Sequence, residues 1–283
     1  MHWILCFLVF VASLEAGEIF TTSDFARIEE VVENLDCHSI VLFDVDATLI
    51  VPDDAILRPQ GKDLFELLID GHDDRDLFRD IRLQASHSLV DARSTSLVQR
   101  LQKRKVPVIA YTAAPAKIRG MHQLGNWRID ELKSHGFDFS CSFADCKVLE
   151  LPKSTGQSHF PMFKSGVLFS SFHPKGDVLI LFLQKMGLNP KRIIFVDDEL
   201  RHVQSVVKSL ERHGIACLGI HYTAAIEAPC ELNPEQAAFQ VNYFINKDVW
   251  LSDIESRNYQ NISNLDFNPP LSPQACVSLV ECH

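Results

Sequence analysis

The residues best suited to chemistry sit at the end of one apolar run. Ile40, Val41, Leu42 and Phe43 lead directly into Asp44-Val45-Asp46-Ala47-Thr48-Leu49. Side chains two apart on a strand face the same way, about 6.6 Å apart along it, so Asp44 and Asp46 are expected to act as a pair. Two further apolar runs end in similar groups: Val106–Tyr111 in Thr112 and Ala113, and Arg192–Val196 in Asp197 and Asp198. Ligands of open α/β sheets bind outside the carboxyl ends of the strands. Three such ends on one edge would gather four carboxylates and a hydroxyl around one small volume.

Each run needs a helix-covered sheet to hold it. Continuous apolar runs suit parallel strands buried on both faces, and alternation of strands with helices predicts a parallel α/β fold. Helices are expected over Thr21–Leu35, capped by Thr22 or Ser23, after Pro115 as far as His135, from Pro174 to Met186 with Gly187 as the stop, over Leu200–His213 and over Pro234–Asn246. Ile215–Ile220 reads as the last clear strand and Phe137–Phe143 as a further one. Lys147–Leu151 and Gly166–Phe169 read as a hairpin with a long tip. Gly61–Lys105 carries a helical pattern interrupted at Gly71–Asp74 and is expected to form an insertion above the sheet. Lys175 falls in the first turn of its helix, at the anion-attracting end.

Composition sets outer bounds. The 283 residues carry a formal net charge of −10, which argues against a nucleic-acid-binding protein. Trp3–Leu14 is apolar and uncharged, too short to span a bilayer but suited to a signal peptide. Residues 1–16 are therefore expected to be removed on export to the periplasm or beyond, the protein staying cytoplasmic if residues 3–14 are not a signal. No membrane association is expected after that removal. The tail 264–283 is expected at the surface. Eight cysteines lack any C-x-x-C pair, so no zinc site is expected. Cys141 with Cys146, and Cys276 with Cys282, are spaced for disulfides, while Cys37 and Cys217 read as buried thiols.

The motif D-V-D-A-T-L, the strand ending at Thr112, Lys175 and the V-D-D run resemble, in order and identity, the four motifs of the haloacid dehalogenase (HAD) superfamily. The resemblance implies a Rossmannoid three-layer α/β sandwich over residues 17–263, with small cap insertions near 51–105 and 143–171. It implies a phosphohydrolase in which Asp44 is the nucleophile and Asp46 the general acid and base, the latter needing a raised pKa. Thr112 and the backbone at Ala113 would hold phosphate oxygens, and Lys175 would neutralise charge. Mg²⁺ would be held by Asp44, the Asp46 carbonyl and Asp198, with Asp197 a ligand through water or the residue that orients Lys175. A small phosphorylated molecule is the implied substrate. A narrower resemblance, over G-V-L-F-S-S-F-H-P-K-G-D-V-L, I-I-F-V-D-D-E-L-R-H-V, G-I-H-Y and V-W-L-S-D, is to a family of often exported HAD-like bacterial proteins of unknown function. The chain departs from that pattern at His173-Pro174 and at His202. His202 lies one helical turn past Asp198 and could touch the site, although a packing role weighs more.

No phosphate-binding G-x-x-x-x-G-K-[ST], dinucleotide G-x-G-x-x-G, H-E-x-x-H or G-x-S-x-G motif occurs, which disfavours nucleotide hydrolysis, hydride transfer, zinc proteolysis and serine hydrolysis. A glycosidase could use paired carboxylates but has no need of Thr112 or Lys175. The alternative from another class is an exported binding or interaction protein on the same scaffold, with little or no turnover.

Overall fold

In a computed structural model the chain is described over residues 17–72, 76–118, 123–153 and 158–262. The expected signal segment 1–16, the tail 264–283, and Cys6, Cys276 and Cys282 lie outside the described residues. In chain order, β1 (Glu18–Thr22) and α1 (Phe25–Val32) precede β2 (Ser39–Phe43), which is buried at every position. Then come β3 (Ile50–Pro52), α2 (Lys62–Ile69), α3 (Leu77–Arg82), β4 (His87–Leu89), α4 (Ser94–Lys103), β5 (Val108–Thr112) and α5 (Leu124–Ser134). Three short strands follow, β6 (Val148–Glu150), β7 (Met162–Lys164) and β8 (Val167–Phe169), and then α6 (Lys175–Met186) and β9 (Arg192–Asp197). The chain continues through α7 (Leu200–Arg212), β10 (Ala216–Tyr222), α8 (Ala224–Glu227), α9 (Pro234–Lys247) and α10 (Asp253–Ile262).

The main sheet has the order β1-β10-β9-β2-β5-β8-β7-β6. It is parallel from β1 to β8; β7 runs antiparallel to both of its neighbours, β8 and β6. Strand alternation assigns the two faces. Val41, Phe43, Val108, Ala110, Ile194 and Val196 pack under α1, α4 and α5. Ile40, Leu42, Ile109, Tyr111, Ile193 and Phe195 pack under α6 and α7. The result is a three-layer, Rossmann-like α/β sandwich, as the patterning requires. A separate cluster joins Phe65, Leu68, Leu77 and Ile81 to Val241, Phe244 and Trp250. The first insertion thus builds its core with the C-terminal helices, forming a helical cover.

Several expectations shift in detail. Residues 18–22 form an edge strand paired with β10, and α1 starts only after Asp24, whose carboxylate accepts the Ala26 N–H at 2.9 Å. The helical pattern up to Lys105 is not all cover, because Leu97, Val98 and Leu101 of α4 enter the main core. Phe137–Phe143 is not a strand: Phe137 and Phe139 stack, and Ser140–Phe143 is a 3-10 turn. The segment 147–151 pairs with β7, not with 166–169, and the intervening turn at Ser165-Gly166 takes positive φ at both residues. Cys141 and Cys146 are free thiols, Cys217 is buried, and Cys37 is exposed in the loop before β2.

Candidate active site

Alternation places the chemistry on one side of the sheet. Asp44 continues the Ile40–Leu42 face and Asp197 the Ile193–Phe195 face, so both point toward the layer that contains α6. Lys175, the first residue of that helix, lies between them, its Nζ donating to Asp44 Oδ1 at 2.5 Å, Asp197 Oδ2 at 2.7 Å and the Tyr111 carbonyl at 2.9 Å. Its side chain is 1% exposed. The helix start is fixed by close packing: a Cβ on Gly176 would lie 2.2 Å from the Ser205 carbonyl of α7, and the Gly176 N–H donates to Ser205 Oγ. The Tyr111 hydroxyl donates to the Lys175 carbonyl, tying helix to strand from the other end.

Asp44, Asp197 and Asp198 each offer a carboxylate oxygen, and the three lie within 4.8 Å of one another. They are not equally satisfied. Asp197 accepts from Lys175 on one oxygen and from the Glu199 N–H at 2.8 Å on the other, with His202 Nδ1 at 3.4 Å. Burial works to raise its pKa, but Lys175 and His202 outweigh it and the net shift is downward. Asp198 has no hydrogen-bond partner for its carboxylate among the described residues. Burial, with Asp197 beside it, pushes its pKa up to about 8. Asp44 is raised well above the carboxylate range, chiefly by burial; Lys175 pulls it back while Asp197, Asp198 and Asp46 push it further. Lys175 stays protonated: burial opposes its charge, but Asp197 and Asp44 override that.

Three clustered acids thus have one ammonium among them, in contact with Asp44 and Asp197. Such a group is costly unless another positive charge joins it. The donors are all oxygens, which suits Mg²⁺. Asp44 and Asp198 are the residues free to hold such an ion, whereas both oxygens of Asp197 are occupied. Asp197 is therefore the residue that orients Lys175, and His202 touches Asp197 instead of serving only in packing.

Asp46 departs from expectation. The strand ends at Phe43, and Ala47 takes φ 59°, so the chain turns before a second strand position can be reached. Asp46 swings toward α3 and α5. Its Oδ1 accepts from Arg82 Nη2 and lies 3.1 Å from Arg128 Nη2. Burial would raise its pKa, but Arg128, then Arg82, lower it to about 2. The raised pKa that a general acid needs is absent in this arrangement. Arg128 is held in turn by Glu131 at 2.5 Å, and Glu131 by His87 Nδ1 at 2.9 Å.

Thr112 is buried at the end of β5, and its hydroxyl oxygen accepts the Ala114 N–H at 3.1 Å, leaving its O–H available as a donor. Ser170 and Phe172 donate backbone N–H groups to the Thr112 and Ala113 carbonyls, both at 2.9 Å. Those bonds lock the strand end to the loop carrying Lys175. No motif marks Arg82, Arg128, His87 or Glu131. The one available signal was Arg128 within the stripe Leu124-Arg128-Leu132, a charge on an apolar helix face.

Comparison with known proteins finds no characterised relative. The family model described as "Protein of unknown function (DUF2608)" matches residues 21–257, covering both the sheet and the helical cover. An uncharacterized protein of Rickettsia prowazekii (strain Madrid E) is 21% identical over 257 residues, 88% of this chain and 93% of that protein. A Chlamydia pneumoniae protein named "Putative outer membrane protein" is 29% identical over 150 residues, 52% of this chain and 51% of that one. An uncharacterized protein of Rickettsia felis is 24% identical over 132 residues, 45% of each chain. No solved structure matches significantly.

Proposed function

The chain belongs to the DUF2608 family of proteins of unknown function, and for this member we propose a divalent-cation-dependent phosphohydrolase of the HAD type. One observation carries the proposal: a buried Lys175 bridges Asp44 and Asp197 at the carboxyl edge of a parallel sheet, and Asp198 brings a third carboxylate within 4.8 Å of both. Asp44 attacks phosphorus, its carboxylate forming a new O–P bond as the ester P–O bond breaks and the leaving oxygen takes up a proton from solvent water. Water then cleaves the acyl phosphate, releasing inorganic phosphate and regenerating Asp44. Lys175, oriented by Asp197, offsets charge on both Asp44 and the phosphoryl oxygens. Thr112 and the backbone at Ala113 take the remaining phosphate oxygens. When bound, Mg²⁺ supplies the positive charge that keeps Asp44 and Asp198 ionised.

Asp46, held ionised by two guanidiniums, accepts a proton from the hydrolytic water only weakly, since base strength falls with pKa. That pairing is the specific support for the second reading, an exported binding protein with little turnover. Export itself is supported by the apolar segment Trp3–Leu14 and by the name of the Chlamydia relative. Among the described residues no helix is long and apolar enough to cross a membrane.

A panel of phosphomonoesters assayed with Mg²⁺ and with chelator tests the choice. Chelator-sensitive phosphate release supports the enzyme; no release from any member favours the binding protein. Amino-terminal sequencing of the protein recovered outside the cytoplasm should begin near Gly17, and an intact Met1 on cytosolic protein would contradict export.

A further inference from the structure

Two arginines at Asp46, two residues past the candidate nucleophile, have more donors than acceptors. Arg82 comes from α3 of the helical cover and donates through Nη2 to Asp46 Oδ1; Arg128 comes from α5 of the main fold and donates through Nη2 to Asp46 Oδ2 at 3.5 Å, with Oδ1 3.1 Å away. Arg82 has no other hydrogen-bond acceptor among the described residues. Arg128 spends one further contact on Glu131. The Nε atoms of both are buried without a partner. Their side chains are 16% and 5% exposed, while that of Asp46, between them, is 29% exposed.

Each guanidinium is also braced by a ring. Arg82 lies 5.2 Å from the centroid of Phe78 and Arg128 4.8 Å from that of Trp127. Stacking of this kind leaves the guanidinium edge, where its N–H donors lie, for planar oxyanions. Buried donors without acceptors are uncommon and call for a ligand, water or ion. One half-exposed carboxylate is a small complement for such a pair.

We propose that Arg82 and Arg128 form a subsite for a second oxyanion on the leaving-group side, so that the substrate is a phosphomonoester that also bears a carboxylate or another phosphate. This rests on the phosphohydrolase reading, which supplies the site for the transferred phosphoryl group. The cover contributes Arg82 and therefore takes part in selecting the substrate. Asp46 acts as the internal placeholder that keeps the two guanidiniums together between turnovers.

Phosphonates test this without requiring turnover, because their carbon–phosphorus bond is not hydrolysed. Propylphosphonate, phosphonopropionate and propane diphosphonate are titrated calorimetrically into the full chain with Mg²⁺. The first offers one anion, the second adds a carboxylate and the third a second phosphonate. Phosphonopropionate or the diphosphonate should bind about tenfold to a hundredfold more tightly than propylphosphonate, as expected for charge-assisted hydrogen bonds. Whichever gains more identifies the second anion. In Arg82→Gln, checked for folding by circular dichroism, the preference should fall below about threefold, and Arg82→Lys, which keeps charge but loses the fork, should fall between. Equal affinity for all three in the natural chain, or an undiminished preference in Arg82→Gln, overturns the subsite alone. If none of the three binds, the phosphohydrolase reading fails and the subsite with it.

Discussion

Two regions of the molecule bury aspartates, and they treat them in opposite ways. In the helical cover, Asp54 is 3% exposed. Its two oxygens accept the Trp250 indole N–H at 2.8 Å and the Asp253 backbone N–H at 2.7 Å. Asp253 returns the favour, accepting the Ala55 N–H and a Gln240 amide N–H, both at 3.0 Å. Each carboxylate there meets neutral donors from distant parts of the chain, and the set joins the first insertion to the C-terminal helices. At the sheet edge, Asp44 and Asp198 face other carboxylates and one shared ammonium. The first arrangement is complete without a ligand, whereas the second leaves the Asp198 carboxylate without a hydrogen-bond donor among the described residues, the feature on which the proposed cation site rests. Burial of an acid is therefore not the functional signal; the company it keeps is.

The largest effect should come from the sheet edge. Asp44→Asn removes the nucleophile without changing its shape, so turnover of an aryl phosphate should fall on the order of a millionfold. Thermal unfolding without metal should be no worse than in the natural chain, because one of three crowded acids is gone. A clear loss of metal-free stability would mean that Asp44 is structural, like Asp54.

Asp54→Ala should act in the converse way. It strands the Trp250 indole N–H and the Asp253 N–H, at about 1–3 kcal/mol for each buried donor left unpaired. Urea denaturation should report a loss of about 2–6 kcal/mol. Little change would show that the cover does not depend on this joint.

Mg²⁺ separates the regions next. At a hundredfold excess over its Kd, the ion should stabilise the natural chain by about 2.7 kcal/mol. Asp198→Asn should lose most of that gain and Asp54→Asn should keep it. A response that survives Asp198→Asn would move the metal site elsewhere.

The sequence revealed the sheet edge better than the cover. Ser39–Phe43 is buried throughout because its apolar run allows nothing else between two helical layers. Asp44, Lys175, Asp197 and Asp198 converge because each ends or begins an element whose apolar pattern is continuous. The cover was hidden because its core joins segments almost two hundred positions apart, as in Ala55 N–H to Asp253. No local period records such a contact. Arg82 and Arg128 were missed for the same reason, since they meet Asp46 across 36 and 82 positions. β1 escaped because Phe20-Thr21-Thr22 runs straight into a helical pattern, and β7 because three residues after a proline carry too little alternation to register.

The smallest expected effect is the one most specific to the joint. Asp54 has a raised pKa, chiefly from burial, with the Trp250 and Asp253 N–H groups pulling it back. A carboxyl whose folded pKa exceeds its unfolded value binds more protons in the folded state over the interval between the two. Its contribution to stability is therefore fully present below the ordinary value of 3.8 and is lost as pH rises through the higher folded value. Asp54→Asn keeps an oxygen acceptor but cannot titrate. The stability of the natural chain minus that of Asp54→Asn, measured by urea denaturation across pH, should therefore decline as pH rises past 3.8 and then level off. The decline should be smaller than the loss in Asp54→Ala, because the hydrogen bonds to Asp54 survive ionisation and are strengthened by it. A difference that rises with pH would mean that those two N–H groups dominate over burial, making the joint a true carboxylate site and narrowing its contrast with the sheet edge.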